Sequence, residues 1–239
     1  MPFGILLARR MAVLLGKEAE LSGPVRVFWP PRVTAQIFEF LAPFFTEERI
    51  KMGRNFLAKG LKKDAFLDHR ILLLDDGSLV GGLRTRSFDD RGVAPVPLTL
   101  IREGQVDRTF LSVASAREQD TRGTGHNLDG QWKPTNLQVR GGTRSLNALM
   151  SEMDESVFYI DHLCDVKDGL KMSSGDINIR CSGTLMRKGE VLGAVRNVRL
   201  KGNLMDSLQQ LVSLSSYTDR FGHIDAPGMV LDGFEVTGA

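Results

Sequence analysis

Residues 176–200 read DINIRCSGTLMRKGEVLGAVRNVRL. Ile177, Ile179 and Cys181 alternate strictly with polar residues, the period of a strand with one buried face. Leu185 and Val191 flank a Lys188-Gly189 turn, which folds the stretch back as a hairpin. Residues 195–200 continue as a further strand. Two neighbouring strands joined by a tight turn are antiparallel, and this hairpin sets the expectation for the rest of the sheet.

Downstream, Asn203 caps a helix that buries Leu204, Leu208, Leu211 and Val212, and residues 229–236 form a short terminal strand pair. Upstream, residues 157–163 read as a strand. Residues 143–153 read as a short amphipathic helix with Leu146, Leu149 and Met150 inward. Residues 136–139 are a strand, and residues 96–101 and 106–113 are strands around a Glu103-Gly104 turn. Residues 71–74 are a buried strand that ends in the Asp75-Asp76-Gly77 turn signal.

The first third is mainly helical. Leu6, Leu7, Met11, Leu14 and Leu15 share one helical face, and Gly23-Pro24 ends that unit. Residues 25–29 are a short apolar strand. Pro30-Pro31 opens a helix that buries Val33, Ile37, Phe38 and Leu41, and Pro43 closes it. Thr46 caps a third helix, with Glu47 and Glu48 in its first turn, running to Lys59-Gly60. The expected class is α+β: a mainly antiparallel sheet with leading and C-terminal helices.

The chain has 239 residues, 42% hydrophobic and 25% charged, with a formal charge of +2. A chain of that size buries a core of its own, and that charge gives no electrostatic case for nucleic acid or an anionic membrane. Two cysteines, Cys164 and Cys181, exclude a disulfide scaffold and make reduced thiols in a cytoplasmic protein the expectation. No apolar run approaches the roughly 20 residues of a membrane span. Arg9 and Arg10 interrupt the apolar N-terminus, which reads as a helix rather than a signal peptide.

A search for chemistry finds little. None of His69, His126, His162 and His223 stands four or five residues from another, so no single helix offers two imidazoles to one metal. His162 and Cys164 lie two apart, on one face of a strand. Two ligands are short of the usual three or four, and a core cysteine beside a partly exposed histidine is the plainer reading. There is no G-x-S-x-G elbow, Walker loop or dinucleotide fingerprint. Gly141-Gly142-Thr143 precedes a helix whose free N–H groups could hold an anion, while turn and cap chemistry explains it, like Gly123-Thr124-Gly125, more simply. Asp75-Asp76 and Asp89-Asp90 read as turn and cap residues, and the basic run at residues 59–63 as a solvated helix end. No catalytic residue and no metal ligand is expected in this chain.

Several strings nevertheless stand in the order of one family. They are Ser87-Phe88-Asp89-Asp90-Arg91-Gly92-Val93, then Leu100-Ile101-Arg102-Glu103-Gly104, then Gly123-Thr124-Gly125 followed by Pro134-Thr135-Asn136-Leu137. Ser174-Gly175-Asp176, then Gly183-Thr184-Leu185-Met186-Arg187-Lys188-Gly189-Glu190, Gly202-Asn203-Leu204-Met205-Asp206-Ser207-Leu208 and Ala226-Pro227-Gly228 complete the series. Together these resemble the C-terminal half of the TldD/PmbA family, over about residues 8–238. The resemblance implies residues 1–23 as a leading linker helix and residues 24–239 as a TldD/PmbA-type C-terminal domain.

The resemblance also implies a cytoplasmic protease system. Its TldD member carries zinc on an H-E-x-x-x-H helix, with a cysteine near the C-terminus. Its TldE (PmbA) partner lacks that helix, and the two enclose a cavity that processes peptides. The corresponding helix here, residues 33–41, carries Ala35, Gln36 and Glu39 but no histidine, and the tail has no cysteine. Arg91 replaces the family's usual acid. The family's chains are about twice as long, so the N-terminal half is either trimmed away or supplied by another chain.

The expectation is a metal-free subunit that completes a cavity wall and holds an extended peptide along a strand edge. Zinc is expected in a TldD-like partner, and Thr135, Asn136, Gly175 and Asp176 are the substrate-binding choices carried by motif match. The partner is that zinc-bearing subunit or a second copy, with a peptide substrate, no nucleic acid and no membrane. One alternative is a stand-alone homo-oligomer that binds peptides or proteins without catalysis; the family's other name, modulator of DNA gyrase, adds a topoisomerase-related partner to it. A further alternative is a metal enzyme using His162, Cys164 and a distant third ligand.

Overall fold

The structure is a computed structural model and describes residues 16–53, 55–61, 66–145, 148–149 and 155–238. In chain order its strands are β1 (Gly23–Trp29), β2 (Leu72–Asp75), β3 (Leu98–Arg102), β4 (Gln105–Val106), β5 (Asn127–Leu128), β6 (Gln131–Trp132), β7 (Leu137–Arg140), β8 (Val157–Leu163), β9 (Asp176–Arg187), β10 (Glu190–Asn203), β11 (Leu211–Phe221) and β12 (Ile224–Thr237). Its helices are α1 (Pro31–Leu41), α2 (Glu47–Lys51), α3 (Val113–Glu118), α4 (Val166–Gly169) and α5 (Leu204–Gln209).

The β9–β10 hairpin forms with the expected alternation, Ile177, Ile179 and Cys181 all buried between exposed neighbours. It does not stand alone. β8 pairs with β9, β10 with the end of β12, and β1 joins β12 on one edge to β8 on the other. The circuit β1–β8–β9–β10–β12 therefore closes into a small barrel, which leaves no open edge along that path. The front half of β12 pairs with β11 and β7, and β7 leads out through β2 and β3 to β4.

The class is α+β, but the sheet is mixed. Antiparallel ladders dominate, while β1 runs parallel to β8 and β7 parallel to β12. Parallel neighbours require long crossovers, and those connections, between β1 and β8 and between β7 and β12, span much of the chain.

α1 closes the bend of the sheet. Pro31 sits at its first turn, and Val33, Ile37 and Phe38 are 0% exposed against β11 and β12, with Leu41 at 2%. Thr46 caps α2, its side chain accepting from the Arg49 N–H. That helix stops at Lys51 rather than at residue 60, because Gly53 takes a left-handed φ of 66° and a 3-10 turn, Phe56–Leu61, follows.

Other expected bounds also shift. The strand expected over residues 106–113 is confined to β4; Phe110 turns into the core at 0% exposure, and Ser112 caps α3 through the Ser115 N–H. Asn203 caps α5, accepting from the Met205 and Asp206 N–H groups. Leu211 and Val212 leave that helix and begin β11, where Val212 is 39% exposed.

The expected terminal strand pair is one long strand, β12, with β11 as its unforeseen partner. Pro227 and Gly228 read as breakers in the sequence. Pro227 sits where the β11–β12 register shifts, so its missing N–H costs no ladder bond, and Gly228 N–H donates to Ser215 Oγ at 2.8 Å. The structure thus ends in a strand, and α5 is its last helix among the described residues.

The helix expected over residues 1–16 lies outside the described residues, but for Gly16. Residues 17–22 are extended and reach β10 through the Glu18–Ala194 bridge. Residues 143–145 of the helix expected over 143–153 are not helical; Arg144 bridges Ser215 of β11. Leu149 is buried as expected, while Leu146 and Met150 fall outside the described residues, as do residues 62–63 of the run 59–63.

Candidate functional site

α1 turns one stripe outward: Arg32, Gln36 and Glu39, at the i, i+4, i+7 spacing of a single helical face. The stripe crosses the end of β8. Beyond Tyr159 that strand has lost β1 as a neighbour. Arg32 donates to Asp161 O at 2.8 Å and Gln36 to Leu163 O at 3.4 Å, so α1 side chains take over the edge.

At the other end of the stripe, Glu39 Oε1 stands 3.8 Å from both the Arg84 guanidinium and His223 Nε2. Ala35, named with Gln36 and Glu39 on this helix from the resemblance, is 3% exposed and offers only a methyl group.

Behind Glu39 lies a buried polar network. Asp75, at the end of β2, is 0% exposed. Its carboxylate accepts from Thr135 N–H at 2.9 Å and Thr135 Oγ1 at 2.6 Å. His126, also 0% exposed, stacks on Phe110 with ring centroids 4.4 Å apart. Its Nε2 lies 2.8 Å from Asp75 Oδ2 but off the line of a hydrogen bond, so the contact is a charge proximity and leaves the ring nitrogens without a directed partner. Arg86 donates to Gly125 O and Lys133 O and faces Asp75, Asp89 and Asp90. Burial pulls its guanidinium below its ordinary range, and those carboxylates pull the other way.

His223, in the turn between β11 and β12, is 9% exposed and faces Arg84, Asp75 and Glu39. Burial, and then the Arg84 charge, push its imidazole down to about 4, against a weaker opposite pull from Asp75. The unfolded chain takes up this proton near 6.5 and the folded chain only near 4. The stability this provides is whole above the unfolded value and is lost as pH falls through that window. His223→Gln should therefore show a smaller drop in urea midpoint between about pH 7 and about pH 4.5 than the wild type; an equal drop would place the acid sensitivity elsewhere.

The four residues picked by motif fall into two separate bonding networks. Thr135 and Asn136 belong to the network just described. Asn136 Oδ1 accepts from Arg84 N–H at 3.0 Å, while its Nδ2 donates to Asp76 O at 2.8 Å and Thr85 Oγ1 at 3.1 Å, so it pins the loop that carries Arg84 and Arg86. Gly175 and Asp176 sit at the start of β9. Asp176 accepts from Ser174 Oγ and Asn203 Nδ2, bonds that hold its carboxyl below the usual range. Gly175, at φ 86°, accepts the Leu204 N–H through its carbonyl. This bracket fastens β9 to the cap of α5.

The remaining motifs resolve similarly. A Cβ on Gly142 would lie 2.0 Å from Ser215 O, so Gly141-Gly142 is a close backbone crossing. Asp89 closes a turn, accepting from Arg91 and Val93 N–H, and Asp76 does the same for Ser78, whereas Asp75 turns inward. His162 is exposed on β8, beside a register shift, and Cys164 lies just past the strand end. Cys181 faces the barrel interior, where burial pushes its thiol up to about 12.

Sequence reading passed over His126, His223, Arg84 and Arg86. None has a motif, and only the fold brings them to Asp75. Among the described residues no group of three or more His, Cys, Asp or Glu is placed to hold a metal. Around α1 one carboxylate, Glu39, meets one imidazole, His223; a zinc site takes three or four protein ligands, so these residues do not fit a resident zinc. What the arrangement offers is a stripe of hydrogen-bonding side chains over a buried polar network.

Residues 22–238 match the PmbA/TldA metallopeptidase C-terminal domain. A metalloprotease PmbA homologue of Buchnera aphidicola (from Acyrthosiphon pisum) is 23% identical over 233 residues, covering 97% of this chain and 50% of that one. The fold matches a solved Thermotoga maritima protein described as a candidate modulator of a DNA gyrase, with a TM-score of 0.86 at 23% identity, over 96% of this chain and 53% of that one. It also matches TldE of Thermococcus kodakarensis, with a TM-score of 0.78 at 22% identity, over 98% and 55%. The chain spans about half the length of the curated relatives it matches. On the family match over nearly its whole length, this chain belongs to the PmbA/TldA metallopeptidase family, in the C-terminal domain.

Proposed function

We propose that the chain is a metal-free subunit of a PmbA/TldD-type metalloprotease assembly, lending a wall of the peptide chamber rather than the catalytic metal. The observation that carries this is the outward stripe of α1. Arg32, Gln36 and Glu39 sit where the resemblance places the zinc helix of a TldD-type subunit, and they are peptide-holding groups in chemistry: donors, an amide and a carboxylate. A peptide lies across this stripe beside the end of β8, held by the α1 side chains rather than by the β8 edge, where Arg32 and Gln36 already occupy the Asp161 and Leu163 carbonyls. Thr135 and Asn136 position the wall loop. Gly175 and Asp176 extend the wall at the start of β9. Zinc resides in a TldD-like partner, and the assembly is cytoplasmic. No helix among the described residues is long and apolar enough to cross a membrane.

The test is reconstitution. The chain alone should carry no stoichiometric zinc and cleave no peptide. With a zinc-bearing TldD-type subunit it should form a complex that does. In that complex Arg32→Ala/Gln36→Ala/Glu39→Ala should raise KM about tenfold with little change in kcat, the mark of lost ground-state binding. One zinc per chain, or cleavage by the chain alone, sinks the reading.

A second reading keeps one observation in its favour. Val80, Leu83 and Phe88 are 96%, 73% and 66% exposed on a loop pinned by Asn136 and Asp89, three apolar side chains open to self-association. A stable homodimer that ignores the zinc-bearing subunit would favour a stand-alone binding module.

A further inference from the structure

A cleft of about 630 Å³ lies between α2, the β3–β4 edge and the segment that leads to Gly123-Thr124, and none of Arg32, Gln36 and Glu39 lines it. Its floor is apolar: Ile50, Leu98 and Val106 are 2%, 4% and 9% exposed, with Leu111 beside them. Its rim is charged, and the charges are unevenly used. Glu47 is taken by Lys51 and by Gln119 Nε2, and Asp107 by Arg102 at 3.3 Å. Arg108 and Arg122, on the same rim, have no side-chain hydrogen bond or ion pair among the described residues. Two arginines without an ion pair among the described residues thus line an apolar trough whose acids are already paired.

We propose that this cleft binds the free C-terminus of a polypeptide that ends in an apolar residue. The terminal side chain fills the trough over Leu98 and Val106. The carboxylate meets Arg108 and Arg122, whose planar forks match it with charge-assisted hydrogen bonds. An acidic side chain would satisfy the arginines but leave the floor wet, and an uncharged apolar segment would leave the arginines unused. The proposal does not rest on the peptide-processing reading, since it concerns a different face and needs no partner subunit.

Fluorescence anisotropy on the intact chain tests it with a labelled pentapeptide ending in leucine. The free acid should bind. Its C-terminal amide, and the Arg108→Gln/Arg122→Gln variant with the free acid, should each bind about tenfold more weakly or worse, as expected for loss of charge-assisted bonds. Arg199→Gln, which removes one positive charge from β10, should leave affinity unchanged, and thermal melts should show both variants folded. Equal binding of acid and amide overturns the proposal. So does absence of binding to the folded wild type, or equal weakening by Arg199→Gln. Decanoate that displaces the peptide as well as unlabelled leucine-ended peptide does would overturn the polypeptide assignment in favour of a small carboxylic acid.

Discussion

Replacing Asp75 by alanine is expected to cost about 3–5 kcal/mol of folding stability, the range for breaking a buried charge network by removing one partner. Three consequences add up. The Thr135 N–H and hydroxyl lose their shared acceptor in a site with 0% exposure. The Arg86 guanidinium, already disfavoured by burial, loses one of the carboxylates that compensate it. His126, stacked on Phe110 with no directed partner, loses the carboxylate 2.8 Å from its Nε2. Asp75→Asn keeps an acceptor for Thr135 and should cost less, about 1–3 kcal/mol. Urea unfolding followed by circular dichroism decides it. A loss under about 1 kcal/mol for Asp75→Ala would mean that the loop bearing Arg84 and Arg86 is held by other contacts.

Phe38→Ala is expected to cost a similar amount, about 3–5 kcal/mol, by the cavity it leaves beneath α1. Phe38 is 0% exposed and faces the strands on which α1 rests. Ile37→Val, next to it and equally buried, removes one methylene and should cost about 0.5–1.5 kcal/mol. The ratio matters more than either value. If α1 is a rigid platform for Arg32, Gln36 and Glu39, the large truncation must be several times worse than the small one. Equal small losses would show a helix that resettles, and a mobile stripe could not hold a peptide in register.

Local features were readable. The β9–β10 hairpin, the Pro31 start of α1, and the Thr46 and Asn203 caps each depend on residues within a few positions of one another, where period and capping chemistry act directly. The serial order of short motifs carried the family resemblance, while Gly125 and Gly141-Gly142 proved to be close backbone crossings rather than the turn and cap expected of them.

What failed was non-local or looked broken. β12 contains Pro227 and Gly228, and only the register shift opposite them, set by β11, makes the strand continuous. β11 itself begins with residues whose spacing continues the apolar face of α5. The parallel pairings of β1 with β8 and β7 with β12 join residues 131 and 87 positions apart, and no local pattern encodes strand direction.

The site shows the same division. Glu39 and Gln36 could be named only through the resemblance, which aligns their helix with the zinc helix of a TldD-type subunit. His126 and His223 could not, because an imidazole acquires its role from what the fold puts beside it. Asp75, which reads as a turn residue, becomes the buried centre because β2 ends against His126 and Thr135. By itself, then, the sequence determined the hairpin, the caps, the apolar faces and the family, all of which follow from short-range stereochemistry and order along the chain. The tertiary structure alone decided the barrel closure, the mixed sheet and the buried charges, because burial and electrostatics are set by neighbours in space rather than along the chain.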